Sequence, residues 1–209
     1  MTADHVMAAD GWQLRPIKTL GLVCIGTALL ASVALGVWEL AHPVFGGAGR
    51  YTLTPASSLQ LWGYGILQAL KPVGFVAGLA GVYLAATRHT LLLKTTLGLA
   101  VAGGLWYAAV WIMIAATGRD DAIYIVGRPV GSDAHTNGGM LFLWFAPIVL
   151  GVAALLARRI PPWQATWLIG TGVLGSFLFG FFPAGVALLL EGILWLTVGA
   201  IVYTAERGA

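Results

Sequence analysis

Six apolar runs, Thr19–Trp38, Gln60–Ala86, Thr95–Thr117, Met140–Ala157, Ala165–Phe182 and Ala184–Thr204, occupy most of the 209-residue chain. Each is near or above the ~20 residues that an α-helix needs to cross a bilayer's hydrocarbon core. In hydrocarbon the backbone N–H and C=O groups find no water, so each run must close its hydrogen bonds within itself, as a helix. The expected fold is all-α: a bundle of about six transmembrane helices, forming one integral membrane domain over residues 1–209. Composition agrees. Charged residues make up 9% of the chain and hydrophobic ones 59%, whereas a soluble domain carries about 25% charged residues.

A net charge of +3 would suggest a nucleic-acid partner in a soluble protein. Here the basic residues sit in short connections beside apolar runs, where they orient helices instead. Arg15, Lys18, Arg88, Lys94, Arg158, Arg159 and Arg207 fall on one side, and Arg50, Arg119 and Arg128 on the other. The positive-inside rule then places both termini in the cytoplasm. Few lysines among many Ala, Gly, Val, Leu and Trp suit a bacterial cytoplasmic (inner) membrane. Trp38, Trp62 and Trp111 fall toward the outer boundary and Trp163 and Trp167 toward the inner one, as interfacial anchors do. The first run exceeds the ~7–15-residue apolar core of a signal peptide and reads as an uncleaved span. Cys24, the single cysteine, lies within it and reads as a small buried hydrophobe. Three runs in each half would permit an inverted repeat, but Pro72 has no counterpart in the fifth run.

Two ionisable residues stand inside the runs, Lys71 in the second and Glu191 in the sixth. An intramembrane carboxylate costs roughly 2.5 kcal/mol or more on insertion scales, so it faces a partner or a cavity. Measured from the cytoplasmic helix ends, Lys71 stands ~22 Å above Ala86 and Glu191 ~20 Å above Thr204, at 1.5 Å per residue. Equal depth and opposite sign predict a Lys71–Glu191 ion pair in the outer half of the bundle. Lys71, Gly74 and Gly78 share a helix face, and Gly74-x-x-x-Gly78 lets another helix approach closely. The lysine should then point at protein; the alternative is a lysine snorkelling to the outer headgroups. Pro72, directly after it, should kink the helix. Trp195, one turn beyond Glu191, is a pocket wall or ordinary packing. Gly172, Ser176 and Gly180 form a small-residue ridge on the fifth run, a surface for helix contact.

The connection 118–139 carries Asp120, Asp121, Asp133 and His135, a dense set in so poorly charged a chain. Loops of this length tend to be functional. Carboxylates with a histidine suit an oxygen-loving divalent cation, although a solvated polar loop is the plainer expectation and no metal is assigned. Ala122–Val126 and Tyr51–Thr54 are β-prone and are expected to pair as a small sheet over the outer face.

No histidine falls within a run, since His5, His42, His89 and His135 lie in the lead or connections. That excludes a bis-histidine haem inside the bundle. Walker, GxSxG, HExxH and dinucleotide signatures are missing, and no cofactor is indicated. Three functions remain: binding or moving a small or lipid-like molecule in an outer-half cavity around Lys71, Glu191 and Trp195; serving as an accessory subunit of a membrane complex; or catalysis on an apolar substrate with Glu191 as acid or base.

Overall fold

The computed structural model describes residues 3–42, 58–86, 90–117, 124–125, 128–129, 133–158 and 160–205. Helix α1 (Ala3–Ala28) passes through a π-helical turn (Leu29–Val33) into α2 (Ala34–Ala41). Then follow α3 (Ser58–Ala86), α4 (Leu91–Thr117), α5 (Asp133–Ala157), α6 (Pro162–Phe181) and α7 (Ala184–Thr204). Among the described residues, five stretches are long and apolar enough to cross a membrane: Pro16–Ala41, Leu59–Ala85, Leu91–Ala116, Gly139–Ala157 and Ala184–Thr204. The chain is thus all-helical in its long elements and suited to a multi-pass membrane protein. Helix α6, of 20 residues, occupies the place expected for the remaining span.

The connection before α5 differs from expectation. Residues 133–139, read as loop, form the start of α5; an aspartate at a helix start is stabilised by the free N–H groups and the helix dipole there. Within the shortened connection, β1 (Tyr124–Ile125) pairs antiparallel with β2 (Arg128–Pro129). The β-prone run therefore pairs within its own connection, while Tyr51–Thr54 lies outside the described residues. Helix α3 runs continuously from Ser58 to Ala86 with Pro72 inside it. The Pro72 ring lies over Gly104 of α4, where a Cβ would come 2.9 Å from the proline Cβ. The missing side chain at Gly104 makes the room that the proline ring needs.

Small residues set the helix neighbours. A Cβ at Gly21 would strike the Tyr203 nitrogen at 2.7 Å, and one at Gly36 would lie 3.0 Å from the Gly185 carbonyl. Helices α1 and α2 therefore run antiparallel to α7 at backbone contact. The expected Gly74–Gly78 face receives α1, with Thr27 beside Gly74 and Cys24 beside Gly78. Gly65 packs on Trp111 and Ala115 of α4, and Gly103 meets Gly139 of α5. On α6, Gly172 and Gly175 press on Trp144 of α5. Ser176 of the expected ridge is instead exposed and donates to the Gly172 carbonyl of its own helix at 2.8 Å.

Helices α3 and α7 are parallel and in fixed register. Lys71 meets Glu191 at a sequence separation of 120, and Phe75–Trp195 and Gly78–Val198 keep that separation down the pair. These two helices are the most enclosed of the five candidate spans, each 61% buried against 39–44% for the others. Leucines and phenylalanines such as Leu91, Leu156 and Phe181 cover the outside of the bundle, as a lipid-facing surface requires. Phe75, Leu79, Leu143, Leu150, Leu188 and Val198 fill the inside.

Candidate functional site

One face of α3 carries the site. Tyr64, Gln68, Lys71 and Phe75 follow at steps of four, three and four residues, the spacing of a single helix stripe, and all four are buried. Lys71 is 0% exposed, so it points into the bundle and does not snorkel. Its ammonium Nζ lies 2.5 Å from Glu191 Oε2. The ion pair read from matched depth is present, and the carboxylate too is 0% exposed.

A second donor reaches the carboxylate from the π-helical turn. Ser32 Oγ donates to Glu191 Oε2 at 3.3 Å. The turn can approach α7 because the residue after Glu191 is glycine: a Cβ on Gly192 would stand 2.6 Å from Val33 Cγ2 and 3.2 Å from Ser32 Cβ. π-Turns inside helices recur at functional positions, and here one delivers a hydroxyl to a buried carboxylate.

Toward the N-terminus of α3, the stripe continues as a hydrogen-bonded chain. Tyr107 Oη on α4 donates to Gln68 Oε1 at 2.7 Å, and Gln68 Nε2 donates to Tyr64 Oη at 3.0 Å. A primary amide supplies an acceptor on one arm and donors on the other, so glutamine can link two tyrosine hydroxyls in this order. Trp111 packs against both phenols, with ring centroids 5.4 Å from Tyr64 and 6.2 Å from Tyr107. It is buried, not the interfacial anchor its position suggested. Glu39, directly after the first apolar run, is helical within α2 and 5% exposed.

Below the ion pair the interior turns aromatic. Phe75 and Trp195 stack with centroids 4.1 Å apart and planes 9° from parallel. Trp144 leans on both, 6.0 Å from Phe75 and 5.6 Å from Trp195. Cys24 Sγ donates to the Trp195 carbonyl at 3.4 Å and is buried, as read. Beyond this stack, α3 and α7 continue toward their C-terminal ends with Leu79, Val82, Val198 and Val202. The result is a buried polar column from the α3 N-terminal side to mid-bundle, standing on an aromatic floor.

Hydrogen bonding in the column is incomplete at the floor. Glu191 Oε1 and Trp195 Nε1 are buried with no hydrogen-bond partner, as is Thr171 Oγ1 on α6. A buried polar atom left unsatisfied costs about 1–3 kcal/mol, more if charged, so natural interiors keep few of them. The Trp195 ring forms the floor, and its N–H has no acceptor.

Asp133 and His135 fall in the first turn of α5, and Asp120 and Asp121 lie outside the described residues. Among the described residues no three His, Cys, Asp or Glu side chains gather as a metal site would need. Comparison with family models, with curated proteins and with solved structures found no match.

Proposed function

We propose that this is an integral membrane protein that binds a small or lipid-like molecule in the polar column around Lys71, Glu191 and Trp195. One observation carries the reading: the column ends at a buried carboxylate whose second oxygen has no partner. An ion pair kept only for packing would be expected to use all of its hydrogen-bonding capacity, because hydrophobic replacement of such pairs is often neutral or stabilising. The aromatic floor and apolar remainder of α3 and α7 support entry and exit from the same side, not passage across the membrane. Six spans with cytoplasmic termini complete the reading, on the strength of the seven-to-three basic asymmetry; the column then opens toward the outer leaflet. Purification in a mild detergent, followed by mass spectrometry of the extracted small molecules, tests it. A defined species should accompany the wild-type protein and be lost from a Glu191→Leu variant that stays monodisperse. A wild-type protein free of any bound species, in native lipid as in detergent, overturns it.

A further inference from the structure

The two unsatisfied atoms at the floor constrain the chemistry of what binds there. Glu191 Oε1 can only accept a hydrogen bond while the carboxylate is ionised, and Trp195 Nε1 can only donate one. They belong to residues four apart, on successive turns of one face of α7. Side chains so spaced are neighbours on the helix surface, within reach of a shared hydrogen-bonding partner. A single oxygen that both donates and accepts would satisfy both groups.

Charge decides between the groups that present such an oxygen. Lys71 and Glu191 neutralise one another at 2.5 Å, so an added ion would leave a net charge in a low-dielectric interior, which is strongly unfavourable. A carboxylate or phosphate would also place its oxygens against Glu191 Oε1. An ammonium would turn its N–H groups toward the Trp195 donor. A neutral hydroxyl meets neither obstacle, and the stacked Phe75 and Trp195 rings offer an apolar surface to the carbon that carries it.

We propose that Glu191 Oε1 and Trp195 Nε1 form a two-point site for one neutral hydroxyl, contributed by the head of an uncharged lipid-soluble alcohol or, in its absence, by water. This rests on the column being a binding site and adds the class of its ligand.

The test reads the Trp195 indole N–H directly. Protein labelled with nitrogen-15 at its nine tryptophans shows the indole resonances, and Trp195→Phe, or Trp195→Tyr if that variant fails to fold, identifies the one of interest. Wild-type protein is then titrated with decanol, decanoate, decylammonium and decane. Decanol should move the Trp195 resonance saturably, at an apparent affinity about tenfold or more above those of the two ions, the scale of one lost hydrogen bond. Decane should leave it in place, and Glu191→Leu should abolish the decanol response. Without probe, a magnetisation-transfer peak from Trp195 N–H to slowly exchanging water identifies water as the resident hydroxyl. If that peak is present and decanol has no effect, the hydroxyl site stands with water alone and the ligand-binding reading falls. A preferential response to decanoate or decylammonium overturns the neutral class while leaving the binding reading intact. Neither a water peak nor any probe response overturns the site itself.

Discussion

Phe75 lies face to face with Trp195, 4.1 Å away, one turn beyond the residues, Lys71 and Glu191, that form the buried ion pair on the same two helices. Parallel packing of α3 and α7 makes the two contacts rungs of one ladder, an ionic rung above an aromatic one. Rotation of either helix would break both together. The aromatic stack thus holds the charges in register, and the charges specify which faces of two otherwise apolar helices meet.

That coupling predicts how the ion pair responds to mutation. Lys71→Met alone leaves an uncompensated carboxylate in the interior, and Glu191→Leu alone leaves an ammonium. Each should destabilise by about 3–5 kcal/mol, whereas the double variant should recover most of the loss. Reversible unfolding in mixed micelles measures the cycle. Additive single losses would show that the two residues do not interact.

The tyrosine–glutamine chain should behave in the same non-additive manner. Gln68→Leu removes one hydrogen bond from each of the Tyr64 and Tyr107 hydroxyls, for a loss of about 1–3 kcal/mol. Adding Tyr64→Phe and Tyr107→Phe to that variant should restore part of the stability, because the hydroxyls that lost the glutamine are then removed. A triple variant less stable than Gln68→Leu would contradict the chain.

Glycine substitutions separate contact positions from open ones. Gly21→Ala and Gly103→Ala place a methyl against backbone atoms at 2.6–3.0 Å and should cost about 1–3 kcal/mol through overpacking. Gly26→Ala and Gly98→Ala meet nothing within 4 Å and should be neutral or slightly stabilising, since alanine is the better helix former by up to ~1 kcal/mol. Thermal unfolding of the four variants ranks them. Gly192→Ala should act locally, by pushing the π-helical turn and Ser32 away from Glu191.

Cys24 provides a probe of the floor. Its sulfur is buried against the Trp195 carbonyl, so a maleimide should react only when the protein unfolds. Trp195→Ala opens a cavity beside it, with a stability loss of about 3–5 kcal/mol, and labelling of the folded variant should accelerate. Rapid labelling of the wild-type protein would place the thiol at a surface.

Much of this site can be read from the chain before the fold is known, and the missing parts have physical causes. Lys71 and Glu191 stand out because ionisable groups are rare in apolar runs, and helix rise converts their positions to a common depth. Tyr64 and Gln68 carry a weaker signal. Their spacing with Lys71 marks one face, but tyrosine and glutamine are ordinary near a membrane boundary, so only the observed burial distinguishes them. Trp111 is misleading for that reason, since a tryptophan near a span end suits an interfacial belt as well as an interior stack. Ser32 has no sequence signature at all, because its contact depends on a π-helical turn and on Gly192 lying opposite. Glu39 reads as the exit from the membrane only because the apolar run stops at Trp38, while the helix itself continues to Ala41. The 133–139 segment shows the opposite limit: its polarity resembles a loop, yet it is the first turns of α5.

The most direct measurement compares bound small molecules in the wild-type protein and in the Lys71→Met/Glu191→Leu double variant, by native mass spectrometry from native lipid. The double variant keeps the packing volume of the ion pair while removing its polar atoms, so loss of fold and loss of site are separated. The expected result is a bound species of defined mass on the wild-type protein and none on an equally stable double variant. An identical bound species on both would contradict the assignment of the Lys71–Glu191 column as the binding site.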